Sequence, residues 1–167
     1  MRLLKLDDSI KIKIYDAISR IDNTIEKHNS KFDLCESDVN PGLTEIESCG
    51  AFLQSFYNGI ENIIVMIFKN INEYTPNDAH WHTNLLDKAF ESNKNKMALF
   101  NNKYKDQMDD YKNFRHIFRH IYGEDIDWDD VKSLIKDLKT FWKDVKYDIN
   151  NFINNYDLKK LNLYQKK

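Results

Sequence analysis

Apolar residues recur at intervals of three and four along most of the chain, the spacing that lines one face of an α-helix. Ile10, Ile12, Ile14, Ala17, Ile18, Ile21 and Ile25 fall mostly in this register. They predict a first helix that starts at the capping cluster Asp7-Asp8-Ser9 and runs to about His28. How far it continues is open, but Asn40-Pro41-Gly42 ends whatever precedes it. A second helix is expected from about Leu43 to Asn72. Its run of Phe52, Phe56, Tyr57, Ile60, Ile63, Ile64, Ile67, Phe68 and Ile71 marks it as the central core helix. A third covers about His80 to Ser92, after a loop in which Asn77 or Asp78 can cap. A fourth extends from about Phe100, or before, to Tyr122, with Gly123 suited to the position just past its end. The acidic turn Glu124-Asp125-Ile126-Asp127 leads into a last helix, Trp128 to Tyr156. Val131, Leu134, Ile135, Leu138, Phe141, Trp142, Val145 and Ile149 form its stripe. The tail from about residue 157 is expected to be frayed or loosely docked. No strand-period alternation occurs. The pattern reads as a single all-α domain over residues 1–167, a bundle of about five helices.

Composition narrows what such a bundle can do. A chain of 167 residues can bury a real core, and its four Gly and two Pro leave room for few turns. The net charge of −2 excludes a broadly basic nucleic-acid surface, so any contact with RNA must be local. Cys35 and Cys49 lack metal-ligand spacing and read as reduced, inert thiols. The apolar run at Met1–Asp8 is too short for a signal peptide. No stretch approaches the ~18 apolar residues of a membrane span. A cytoplasmic protein without a membrane partner is expected.

Against that background the rare cations are concentrated. The chain carries 25 Lys and Arg, and the only Arg are Arg2, Arg20, Arg115 and Arg119. The segment Phe114-Arg115-His116-Ile117-Phe118-Arg119-His120-Ile121-Tyr122 holds two of them together with two of the five His. Arg offers a planar, permanently charged fork for phosphate, and imidazole moves protons near neutral pH. Together they suit metal-free RNA cleavage. A neutral His would take the 2′-hydroxyl proton, the freed oxygen would attack phosphorus, and Arg would stabilise the developing charge. A second His could protonate the leaving 5′-oxygen, giving a 2′,3′-cyclic phosphate. On one helix Arg115 and His120 stand about 140° apart around the axis. A symmetric dimer that sets two such helices face to face would gather both pairs in one cleft. The plain alternative is a set of solvated charges favoured near a helix C-terminus.

Arg115-x4-His120-x-Tyr122 resembles the R-x4-H-x-Y signature of HepT-like toxins of the HEPN superfamily, and His116 fills the polar slot after the Arg. The blocks Phe52–Ile63 and Arg115–Gly123 are similar to a HepT-like subgroup, as are Trp81-His82 and Asp127-Trp128 in kind. The resemblance covers about residues 10 to 150. It implies a HEPN-like fold and a metal-independent ribonuclease toxin that needs no cofactor, with Arg115 and His120 catalytic and His116 and Arg119 supporting or binding phosphate. It also implies a homodimer with a composite site, and an RNA substrate such as tRNA or mRNA. The partner would be a minimal nucleotidyltransferase antitoxin, as in type II/VII-like pairs, that neutralises the toxin by moving AMP to Tyr122. A non-catalytic HEPN module that docks a nucleotidyltransferase or nucleotide is the alternative. Tyr122 could instead be a packing aromatic at the dimer seam.

Other polar residues divide less clearly. His80 and His82, two apart, cannot chelate one metal well, and the segment reads as a helix start with Trp81 buried. Glu124, Asp125, Asp127, Asp129 and Asp130 fit capping and the helix dipole at the start of the last helix. Asn58, Gly59 and Glu61 interrupt the apolar second helix, and a polar group there needs a partner. Glu61 could orient Arg115 or Arg119 from behind, or face solvent.

Overall fold

The computed structural model describes residues 6–71, 77–94, 96–121 and 125–165, with side chains through 156. Among them the chain forms six α-helices: α1 (Asp8–Lys27), α2 (Asn29–Glu36), α3 (Leu43–Asn70), α4 (Trp81–Phe90), α5 (Lys105–Phe118) and α6 (Trp128–Gln165). A short 3-10 helix, Asn102–Tyr104, leads into α5. No described residue is in a strand. The all-α reading holds, with one helix more than expected. That helix arises because the first one breaks at His28 (φ −110°, ψ 23°) and resumes at once as α2. The His28 ring stacks on Phe52 with centroids 4.9 Å apart, and its Nδ1 lies 2.7 Å from the Thr24 carbonyl oxygen.

The starts obey local chemistry. Asp7 accepts from the Ser9 N–H at 2.9 Å, Asp78 from His80 at 2.8 Å, and Asp127 from Asp129 at 2.8 Å. Each satisfies a donor that the helix itself leaves open. Glu45 accepts from the Gly42 N–H at 2.7 Å at the head of α3. The end of α4 is closed differently. Lys96, only 5% exposed, folds back and donates through Nζ to the carbonyls of Lys88 (2.9 Å) and Glu91 (2.5 Å). A cation on those terminal carbonyls satisfies acceptors and meets the negative end of the helix dipole.

α3 is the axis of the bundle, packed against α1, α4, α5 and α6. Twelve of its residues are buried, among them Phe52, Phe56, Tyr57, Ile60, Ile63, Ile64, Ile67 and Phe68. Burying one large apolar side chain is worth about 1.5–3 kcal/mol, so this helix dominates the core. Its 18-residue mean hydropathy of 1.2 and its length would suffice to cross a bilayer, contrary to the expectation that no stretch comes near. With 56% of that window buried inside the bundle, the apolarity is accounted for by the core. Two glycines let neighbours reach the α3 backbone. A Cβ on Gly59 would fall 2.9 Å from Ile21 Cγ1 of α1, and one on Gly50 would fall 2.4 Å from Phe118 Cε2 of α5. Phe118 therefore rests where only glycine permits. α6 clamps the far side: Asp22 of α1 accepts from Trp142 Nε1 (2.7 Å) and Lys146 Nζ (2.8 Å). Asp148 accepts from the Asn101 N–H and the Tyr104 hydroxyl. The last helix continues through Gln165, past the Tyr156 end that the stripe predicts.

Candidate active site

Arg115 sits in the last turn of α5 and points into the bundle, not away from it; its side chain is 11% exposed. The apolar face of α5, Met108 and Tyr111, seats the helix against the core, and Phe118 locks its end on Gly50. That places the guanidinium over the polar interruption of α3. Nε donates to Asn58 Oδ1 at 2.5 Å, and Nη2 stands 3.8 Å from Glu61 Oε1. Nη1 is 3.4 Å from both ring nitrogens of His82 at the start of α4. Three helices thus converge on one cation.

Glu61 is the centre of this cluster, at 3% exposure in the middle of the core helix. Its Oε2 lies 2.8 Å from His82 Nδ1 but without an aligned hydrogen bond. Beside it the Tyr57 hydroxyl is buried and has no hydrogen-bond partner among the described residues. Burial, followed by the negative charge of Glu61, pushes the Tyr57 phenol well above its ordinary range; Arg115 partly offsets this. The Trp81 ring is 3.6 Å from that of His82, centroid to centroid, and is half-buried where full burial was expected. Glu61 faces neither solvent nor Arg119: of the three arrangements open to it, the structure takes the pairing with Arg115.

The rest of the motif lies on the outside. His116, Arg119 and His120 are exposed, and the rings of His116 and His120 meet edge to face with centroids 5.1 Å apart. A helix reaching Tyr122 is not what forms. α5 ends at Phe118, Arg119 occupies the cap, and the His120 N–H turns back to the Ile117 carbonyl at 2.9 Å. Once the Phe118 ring is wedged against α3, the chain tightens and leaves the helical path. His120 therefore belongs to a turn. Among the described residues, the polar contacts of Arg115 run to Asn58, Glu61 and His82, and none runs to His120. Tyr122, with Gly123 as the helix terminator and Glu124, lies outside the described residues.

Asn58 has a second setting. It also lines a groove of about 640 Å³ between α1 and α3, with Lys13, Arg20, Gln54 and Asn62. Arg20 is held there by Asp16 at 2.9 Å, an exposed pair of small energetic weight. The groove mixes polar and apolar side chains from both helices and adjoins the cation cluster through Asn58.

The sequence marks Asn58 as a polar break in α3 that needs a partner, and His82 as part of the resemblance and as a poor chelating pair with His80, but it does not set either of them on Arg115. The available signal was the carboxylate in an apolar helix, which requires a partner somewhere. Cys35 and Cys49 are free and buried, remote from this cluster in role, and burial raises both thiols, Cys35 to about 11. A model of the family described as HepT-like protein matches residues 48–156, a stretch that holds Asn58, Glu61, His82, Arg115 and His120. No curated protein and no solved structure matches the chain.

Proposed function

The chain belongs to the HepT-like protein family, and from that premise we propose that it is a metal-independent endoribonuclease toxin whose catalytic groups are Arg115 and His120. The observation that carries the reading is the state of Arg115: a guanidinium fixed by three neighbours, preorganised to meet charge that develops on a phosphate. His120, exposed on the turn after α5, serves as the proton-transfer group, and His116 and Arg119 beside it bind phosphate. The bound phosphodiester loses its 2′-hydroxyl proton to imidazole; the oxygen attacks phosphorus and the 5′-oxygen departs with a proton. DNA, without the 2′-hydroxyl, is left intact.

Two copies share the reaction in this reading. Arg115 is turned into its own bundle while His120 lies outside, so a second copy that brings its His120 to the first one's Arg115 completes a composite site. The partner in the cell is a minimal nucleotidyltransferase antitoxin, which transfers AMP to Tyr122 and sets an anionic group beside the motif cations. The site is proposed to act in the cytoplasm on RNA such as tRNA or mRNA.

The test is incubation of the purified protein with total RNA and tRNA in excess EDTA, after an intact mass has been taken. Cleavage to cyclic-phosphate ends by the wild type, and not by His120→Ala, is the expected result. No cleavage from protein of unmodified mass overturns it in favour of a non-catalytic module that docks a nucleotidyltransferase or nucleotide. Added AMP mass would identify the protein as purified in its neutralised form, and removal of the AMP must then restore cleavage.

A further inference from the structure

Glu61 does not divide itself evenly. One oxygen is 2.8 Å from His82 Nδ1, whereas the other is 3.8 Å from Arg115 Nη2. A carboxylate and a guanidinium left alone in a buried site close into a bidentate pair, with N–O distances near 2.8 Å. Here they stay about 1 Å short of it. The guanidinium is displaced toward the imidazole, with Nη1 at 3.4 Å from both ring nitrogens. A point equidistant from the two at that range lies off the ring plane, because an in-plane position would collide with the carbon between them. The ring therefore acts as a surface against which the guanidinium rests. Trp81, tilted 30° against the ring at 3.6 Å between centroids, packs on His82, and Asn58 fixes the other end of the fork through Nε.

We propose that His82 is a positioning residue for Arg115, which keeps the guanidinium from being captured by Glu61. By engaging one carboxylate oxygen and occupying the space beside Nη1, His82 holds the fork in a half-paired state. Its charge then stays available to an incoming phosphate. Without His82, Glu61 rotates onto Arg115, forms the two-point pair and neutralises it. The consequence for RNA cleavage rests on the function proposed above; the consequence for the state of Arg115 does not.

The two are separated by labelling with phenylglyoxal, which attacks the guanidinium, followed by peptide mapping. Exposed Arg119, four residues on, is the internal reference. Arg115 of the wild type is expected to react, Arg115 of His82→Ala to be protected severalfold, and Arg115 of His82→Ala/Glu61→Gln to react again, since an amide cannot capture the cation. Cleavage follows the same order, with kcat down about 10²-fold in His82→Ala while KM moves little, and recovery in the double variant. Equal labelling of Arg115 in wild type and His82→Ala overturns the proposal whether or not the protein cuts RNA. So does a loss in His82→Ala that Glu61→Gln fails to relieve, because it would assign His82 to packing against Trp81 alone. Thermal melts of each variant separate loss of fold from loss of position.

Discussion

Arg115 and Glu61 are coupled in stability as well as in chemistry. A carboxylate at 3% exposure tolerates its charge because the Arg115 guanidinium faces it. Truncating Arg115 leaves that charge poorly matched, a change that costs about 3 kcal/mol in buried pairs. Arg115→Ala is therefore expected to melt markedly lower than wild type. Arg115→Ala/Glu61→Gln should recover most of the loss in a denaturant titration. An unchanged midpoint in Arg115→Ala would show that the guanidinium does not support Glu61 in the fold. Arg115→Lys retains the charge but lacks the Nε–H that Asn58 accepts, and is expected to cut RNA about 10²-fold more slowly. By contrast His120→Ala removes an exposed ring and should change stability by less than about 0.5 kcal/mol. At this scale the sequence disclosed the reactive pair but not its supports. Arg and His stood out because they are rare and clustered, whereas Asn58 and His82 acquire meaning only when α3, α4 and α5 are folded against one another.

Among the elements, the junction of α3 and α5 decides where the site lies. Phe118 reaches the α3 backbone only because Gly50 has no side chain. A methyl group 2.4 Å from the ring cannot be accommodated without movement of α5 or rotation of Phe118. Gly50→Ala is expected to cost about 1–3 kcal/mol and to impair cleavage beyond what its stability explains, since Arg115 rides on the same turn. Gly50→Ala/Phe118→Leu, with the ring gone, should regain part of both. Helix positions were legible because apolar periodicity and capping residues coincide: Asp7, Asp78 and Asp127 each sit where a start was expected. The first helix ends at His28, where it was expected to, while α6 runs past Tyr156 to Gln165 and α5 stops at Phe118, short of Tyr122. The stop at Phe118 has a tertiary origin: its ring docks on α3 at Gly50, and no local propensity announces it.

For the whole molecule, the titratable groups sunk in the core set an alkaline limit. Burial raises the thiol of Cys35 to about 11, that of Cys49 above its usual value, and the phenols of Tyr57, Tyr104 and Tyr111 well above theirs. The ordinary values are ~8.5 for thiols and ~10 for phenols. The folded chain thus keeps protons that the unfolded chain releases. Stability from these groups is fully present below about pH 8 and falls as pH rises through 9 and beyond. Melting temperatures from pH 7 to 11 should hold level and then drop; a flat profile to pH 11 would contradict the burial of these groups. The proposed composite site makes a different prediction at this scale. Arg115→Lys chains mixed with His120→Ala chains, each nearly inactive alone, should regain activity by pairing one intact Arg115 with one intact His120. Mixtures that stay inactive would place both groups in a single chain.

Arg115 and His120 are five positions apart, yet the fold treats them unequally. One is gripped by the buried core helix of the bundle; the other hangs on a turn that begins where Phe118 stops the helix. Half of the motif is set before any encounter, and the other half is set by whatever meets it. Silencing such a pair does not require filling the phosphate site. A ligand that gripped residues 119–121 in the wrong pose would disarm the protein by restraint rather than by occupancy, with its Arg115 still in place and still charged.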